Sequence, residues 1–98
     1  MRNIMQNKIK IAEIMGALGN VTRLDILDLI AEGISNPGAL SKKLASPRPT
    51  IEKHLRVLLK ANVISKYPGL SPEGQTRIYY RIAENFNPFL SELNNLVK

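Results

Sequence analysis

The stretch Pro49-Thr50-Ile51-Glu52-Lys53-His54-Leu55-Arg56-Val57-Leu58-Leu59-Lys60-Ala61 constrains this chain most. Ile51, Leu55 and Leu58 fall at i, i+4 and i+7, so on a helix they share one face. Glu52, Lys53, Arg56 and Lys60 fall away from that face. The pattern describes a helix packed on one side and basic on the other. It lies inside a longer unit, Asn36 to Arg81, which reads as helix, tight turn, second helix and two-stranded hairpin.

Charge is concentrated in the same unit. Residues 1–35 carry four basic and four acidic side chains, and residues 82–98 carry one basic and two acidic. Residues 36–81 carry nine basic side chains against Glu52 and Glu73, a local net of +7 within a total of +6. A solubility surface does not require such localisation. A phosphate polymer is what a localised basic field attracts, through counterion release.

With 98 residues the chain is expected to be one domain, residues 1–98, with a modest core. Lys8, Lys10 and Glu13 interrupt the N-terminal apolar stretch, so no run spans a membrane and no signal-peptide core is recognisable. A cytoplasmic setting is expected, nucleoid-associated in a prokaryote. With no Cys, thiolate metal sites and thiol redox sensing within the chain are excluded.

Taken in order, Ile4 to Leu18 predicts a helix, with Ile11, Ile14, Met15 and Leu18 in helical register and Ile4, Met5 and Ile9 adding apolar surface. Gly19-Asn20 breaks it. Asn20 suits the cap of a second helix, Val21 to Glu32, with Leu24, Leu27, Ile30 and Ala31 on one face, Ile26 and Leu29 widening it, Arg23, Asp25, Asp28 and Glu32 polar, and Gly33 just past its end. Asn36-Pro37 reads as cap and first residue of a short helix to Ala45, with Leu40 and Leu44 inward and Lys42 and Lys43 outward. Ser46 is expected to cap the next helix, from near Pro47 to Ala61, with Asn62 as its left-handed stop. Val63 to Tyr67 and Gln75 to Ile82 read as strands around a long loop, Pro68 to Gly74. Asn85 to Val97 reads as a last helix. Its stripe of Phe86, Phe89, Leu90, Leu93, Leu96 and Val97 exceeds what closing a small core needs. An exposed stripe of that size is a liability on a monomer. A two-fold dimer is therefore expected, built on Ile4, Ile11, Ile14 and Met15 with the last-helix stripe; core packing is the competing role for the first set, and packing back over the first helix is the competing role for the stripe.

Three runs, in the right order and spacing, resemble ArsR-type transcriptional regulators over roughly residues 10 to 83. Leu18-Gly19-Asn20-Val21-Thr22-Arg23-Leu24-Asp25-Ile26-Leu27 is similar to the start of their winged helix-turn-helix. Pro49 to Leu58 is similar to their recognition helix. Ala61-Asn62-Val63-Ile64 with Thr76-Arg77-Ile78-Tyr79-Tyr80 is similar to the start and finish of their wing. The resemblance implies a mainly α fold with a small antiparallel β-hairpin wing, about five helices and two strands. It implies a homodimeric repressor, with the recognition helix (about 47–61) in the major groove and the wing (about 63–82) near the minor groove.

The chain departs from the family pattern in several places. Ala45 stands where the turn usually has Gly, Pro47 stands at the usual Ser cap, and the wing loop is longer than many. The family's metal sensors use Cys pairs on the first helix of the motif, or Asp/His sets on the last helix. Pro37-Gly38-Ala39-Leu40 has no Cys and the last helix has no His, so metal sensing is not carried over and no metal or cofactor is expected.

Candidate DNA contacts follow. Arg48, Thr50, Glu52, Lys53 and His54 lie near the N-terminal end of the recognition helix, the end that meets base edges. Arg48 either bonds guanine O6 and N7 or contacts a phosphate. Glu52 either accepts from cytosine N4 or pairs with Arg48, Lys53 or Arg56, the pairing being favoured. Lys53, Arg56 and Lys60 are expected on phosphates, and Thr50 offers a hydroxyl to one. A single His without clustered ligands makes neither a metal site nor a triad, so His54 contacts DNA or packs on its helix. Lys42, Lys43, Lys66, Arg77, Tyr79 and Arg81 complete the set, each against the role of ordinary surface. Double-stranded DNA and a second copy of the chain are thus the expected partners. A non-specific nucleic-acid binder and a protein-interaction winged helix are the alternatives. An enzyme is disfavoured, since paired carboxylates, a nucleophile elbow and a phosphate-binding Gly loop are all missing from the sequence.

Overall fold

Asparagine caps set the frame of the fold. The computed structural model describes residues 7–97. Helix α1 (Lys8–Leu18) is followed by α2 (Val21–Ala31), α3 (Pro37–Leu44), α4 (Arg48–Lys60), strands β1 (Ile64–Leu70) and β2 (Thr76–Ile82), and α5 (Phe86–Leu96). Asn20 accepts from the Arg23 N–H at the start of α2, and Asn36 accepts from the Ala39 N–H at the start of α3, both satisfying first-turn donors. Gly33 ends α2 at φ +96 and Asn62 ends α4 at φ +60. Ile4 and Met5 lie outside the described residues.

Ile26, Leu40, Ile51, Leu55, Leu58 and Val63 form the fully buried centre. The core thus stands where α2, α3 and α4 meet the base of the hairpin. On α2, Leu27 and Ile30 of the expected face are buried together with the widening pair Ile26 and Leu29, while Leu24 and Ala31 are exposed. The helix is apolar on nearly every side, so periodicity alone does not select the face that meets the core.

Ser46 does not cap α4. Pro47 occupies the cap position with no side-chain bond, and the Ser46 carbonyl instead accepts from Ser41 Oγ. Ala45 takes up the left-handed conformation at φ 50, ψ 45, where glycine would be at ease. The turn between α3 and α4 is therefore held by backbone and hydroxyl bonds, with Ser46 N–H donating to Ser41 O at 3.1 Å.

The hairpin is longer and its loop shorter than expected. β1 runs through Pro68 to Leu70, and its antiparallel register runs from Ile64 opposite Ile82 to Leu70 opposite Thr76. The loop is only Ser71 to Gln75, closed by Ser71 N–H to Gln75 O at 2.7 Å and turned at Gly74, φ +82. Pro68 fits the strand for a geometric reason. Tyr80 N–H points away from β1 and donates to Ser35 O at 2.9 Å. The Lys66–Tyr80 pair is then a non-hydrogen-bonded one, and so is Pro68–Ile78 two residues on. Pro68 forfeits no ladder bond. On the outer face, Tyr67 and Tyr79 stack at 5.8 Å between centroids, and Arg81 lies 5.2 Å over the Tyr67 ring. A Cβ on Gly69 would lie 2.8 Å from the Tyr79 ring, so a side chain there would displace the ring from its stack on Tyr67.

Candidate nucleic-acid interface

Four of the basic residues, Lys42, Arg48, Lys66 and Arg77, line one cleft. Its floor is the start of α3 (Asn36, Pro37, Gly38, Ala39, with Lys42 a turn later). One wall is the first turns of α4 (Arg48, Glu52). The other wall is the hairpin (Lys66, Thr76, Arg77, Ile78, Tyr80). It encloses about 690 Å³. Four cations line it, and Glu52 is the one carboxylate in its walls among the described residues.

Arg48 is the hinge of this arrangement. Its Nε lies 3.6 Å from Glu52 Oε1, one helical turn on. The other end of its guanidinium reaches over α3, where a Cβ on Gly38 would lie 3.9 Å from Arg48 Nη1. Arg48, Glu52 and Arg56 fall at i, i+4 and i+8, so they form a row facing the hairpin. Tyr80 reports that closeness: burial raises its phenol pKa first, the Glu52 charge raises it further, and Arg48 and Arg56 oppose. Asn36, Gly38, Thr76, Ile78 and Tyr80 line the cleft without being among the expected DNA contacts. No sequence signal marked them, because they join the cleft only when α3 and the hairpin meet.

Anion attraction at the start of α4 comes from side chains and little from its backbone. Pro49 has no N–H, and the Thr50 and Ile51 N–H groups already donate to Pro47 O at 3.0 and 3.1 Å. Only the Arg48 N–H remains of the donors that a helix start usually offers. The side chains of Lys42, Lys43, Arg48, Thr50, Lys53, Arg56, Lys60, Lys66 and Arg77 are exposed. Lys53 and Lys60 share a second row on α4 at i and i+7, and Arg81 and Tyr79 lie on the outer hairpin face with the stacked Tyr67. Arg77 also lies 3.9 Å from Glu73 at the wing tip.

His54 turns away from the cleft. Its Nδ1 lies 3.2 Å from Arg23 Nη1. Arg23 Nε donates to Ala17 O at 2.6 Å and Nη2 donates to Gly16 O at 3.3 Å. One arginine thus ties the last turn of α1 to the middle of α4, using carbonyls that the helix end leaves without partners. Because guanidinium is always a donor, Nδ1 must accept, and His54 is neutral in this contact. Its pKa is lowered by burial, then by the Arg23 and Lys53 charges. In the sequence Arg23 carries no mark of this role beyond its place on the polar side of α2.

Among the described residues no cluster of His, Cys, Asp or Glu is able to hold a metal ion.

Residues 20–66 match the family model for bacterial regulatory proteins of the arsR family. The chain is 33% identical over 93 residues to the HTH-type transcriptional regulator MJ1325 of Methanocaldococcus jannaschii, covering 94% of this chain and all of that protein. The chain belongs to the ArsR family of helix-turn-helix transcriptional regulators. Its fold matches the homodimeric winged helix-turn-helix DNA-binding domain Mb0332 of Mycobacterium bovis, with TM-score 0.74 and 26% identity over 98% of this chain and 86% of that one. HlyU from Vibrio cholerae shares the fold at 23% identity and TM-score 0.72, over 95% and 97% of the two chains. For this ArsR-family protein, the hairpin is the wing and α3–α4 the helix-turn-helix. It is a DNA-binding regulator, and its family is not an enzyme class.

Proposed function

We propose that this ArsR-family protein is a homodimeric repressor that covers an inverted-repeat operator. α4 lies in the major groove and the wing lies near the minor groove. The observation that carries this reading is the cleft itself: Lys42, Arg48, Lys66 and Arg77 from four elements converge on one concave surface, with Arg56, Lys53 and Lys60 continuing the charge along α4. In this reading Arg48 reads a base, while the lysines and Arg56 hold phosphates and fix register. Thr50, Glu52, Tyr79 and Arg81 border the same DNA, His54 meets it only at the rim of α4, and Lys43 reaches the backbone. Repression follows from occupancy of the operator, within the cytoplasm where the DNA is.

The dimer face is formed by α1 and α5. Ile9 is 89% exposed, Met15 49%, Leu96 78% and Val97 83%, with Ile11, Ile14, Phe89, Leu90 and Leu93 half-buried beside them. Apolar surface of this kind favours a partner. Phe86, an expected contact of that face, is buried in the chain's own core and stands edge-on to Phe89 at 6.2 Å. The relative Mb0332, described as homodimeric, supports the same assembly here.

Selection from a randomised duplex pool at near-physiological salt tests the proposal. An enriched inverted repeat with half-site centres about 10 base pairs apart, or a multiple, is expected. Arg48→Ala then loses about 1–3 kcal/mol on that site and relaxes one base position. Binding without enrichment would instead make the protein an architectural nucleic-acid binder, and equal losses on every sequence would make Arg48 a phosphate contact.

A further inference from the structure

We propose that Glu52 is a specificity-determining residue, a carboxylate set in the DNA cleft that penalises binding to phosphates alone. The inference rests on reading α3, α4 and the wing as the DNA-binding face. Glu52 stands alone: four cations line the cleft with it, and no second carboxylate does among the described residues. Its side chain is 43% exposed, so a phosphate entering the cleft can approach the carboxylate. Its partner Arg48 lies at 3.6 Å, an ion pair longer than a hydrogen bond and easily exchanged. Across the cleft, its charge is felt at the Tyr80 phenol.

These positions give Glu52 two opposite effects. Non-specific binding is almost wholly attraction to phosphates. A backbone lodged between α4 and the wing brings phosphate charge close to the carboxylate, and like charges repel at that range. Every random sequence pays this cost. The correct sequence offsets it, because Glu52 holds Arg48 in the first turn of α4, ready for a guanine edge, or itself accepts from a cytosine amino group. A residue that weakens all complexes but restores one of them raises the ratio between them.

The test uses the full chain, the duplex enriched by selection, and a scrambled duplex of the same length and composition. Glu52→Gln keeps shape and hydrogen bonding and removes the charge. Affinity for the scrambled duplex is expected to rise roughly twofold to thirtyfold at low salt, the range for a phosphate about 8 Å away in media between water and a protein surface. Affinity for the selected duplex rises less or falls, so the specificity ratio drops. The gain on scrambled DNA fades as salt is raised, since the charge is solvent-accessible. Glu84→Gln removes the same unit of charge beyond the far end of α4, where Ala83 N–H donates to Val63 O, and is expected to leave the ratio unchanged. Equal changes on both duplexes, no change on either, or the same effect from Glu84→Gln would overturn the proposal while leaving the DNA-binding face intact. A wild-type protein without any sequence preference would overturn both readings together.

Discussion

Replacing Arg23 with methionine isolates the peg between α1 and α4. Methionine keeps most of the apolar stem of arginine and removes all its donors. The bond to Ala17 O, at 2.6 Å and beneath a buried residue, carries most of the loss. A charged donor to such a carbonyl is worth about 1.5–2 kcal/mol, and the partly buried contact to His54 about 0.5–1 kcal/mol more. The bond to Gly16 O is exposed, long at 3.3 Å, and adds little. A total near 2–3 kcal/mol corresponds to a fall in Tm of roughly 8–20 °C for a domain of this size. Thermal unfolding followed by circular dichroism reads the shift. A second readout separates the electrostatic role from simple loosening: the His54 pKa, followed by NMR titration, rises toward its ordinary value once the Arg23 charge is gone. A loss below about 0.5 kcal/mol with an unmoved His54 titration would refute the reasoning, and α1 would be held by apolar contacts alone.

Two further outcomes follow from single residues. The His54 pKa is lower in the folded chain than its ordinary 6.5 because of burial, Arg23 and Lys53. The unfolded chain therefore binds the proton more readily, and stability is full above about pH 6.5 and declines as pH falls through the lower folded value. Urea melts between pH 7.5 and 5.5 should show the decline, with His54→Gln removing that part of it; a flat profile in the parent protein contradicts the neutral contact to Arg23. Ala45→Gly relieves a left-handed alanine at a cost of more freedom in the unfolded chain, for a net gain of about 0.5–1 kcal/mol, or several degrees in Tm. A lower Tm would show that the turn does not strain Ala45.

Much of the architecture was legible because local chemistry and global packing agree. Asn20, Asn36, Gly33 and Asn62 mark boundaries through bonds or backbone angles that few other residues supply as well. The stripe of Ile51, Leu55 and Leu58 read correctly because the other side of α4 is charged, leaving one face for the core. The face of α2 was not legible, because its apolar residues surround the helix. The length of β1 was hidden by Pro68, which breaks a strand unless its position faces away from the partner strand, and that depends on register. At the site, the cations were readable by type and their convergence was not. The cleft exists because α3, α4 and β2 meet, and the Tyr80 bond to Ser35 that seats β2 joins residues 45 positions apart. The Arg23–His54 contact is also long-range, its partners 31 positions apart, and no periodicity announces it.

The most direct test of the account is an amide chemical-shift map of the labelled protein as the selected duplex is added. The account predicts that the largest changes fall on the start of α3 around Gly38, the first two turns of α4 from Arg48 to Arg56, and the wing from Thr76 to Tyr80, with α1 and the end of α5 little moved. Changes confined to α1 and α5, with the cleft residues unaffected, would contradict it and would put the nucleic acid on the face assigned here to the second subunit.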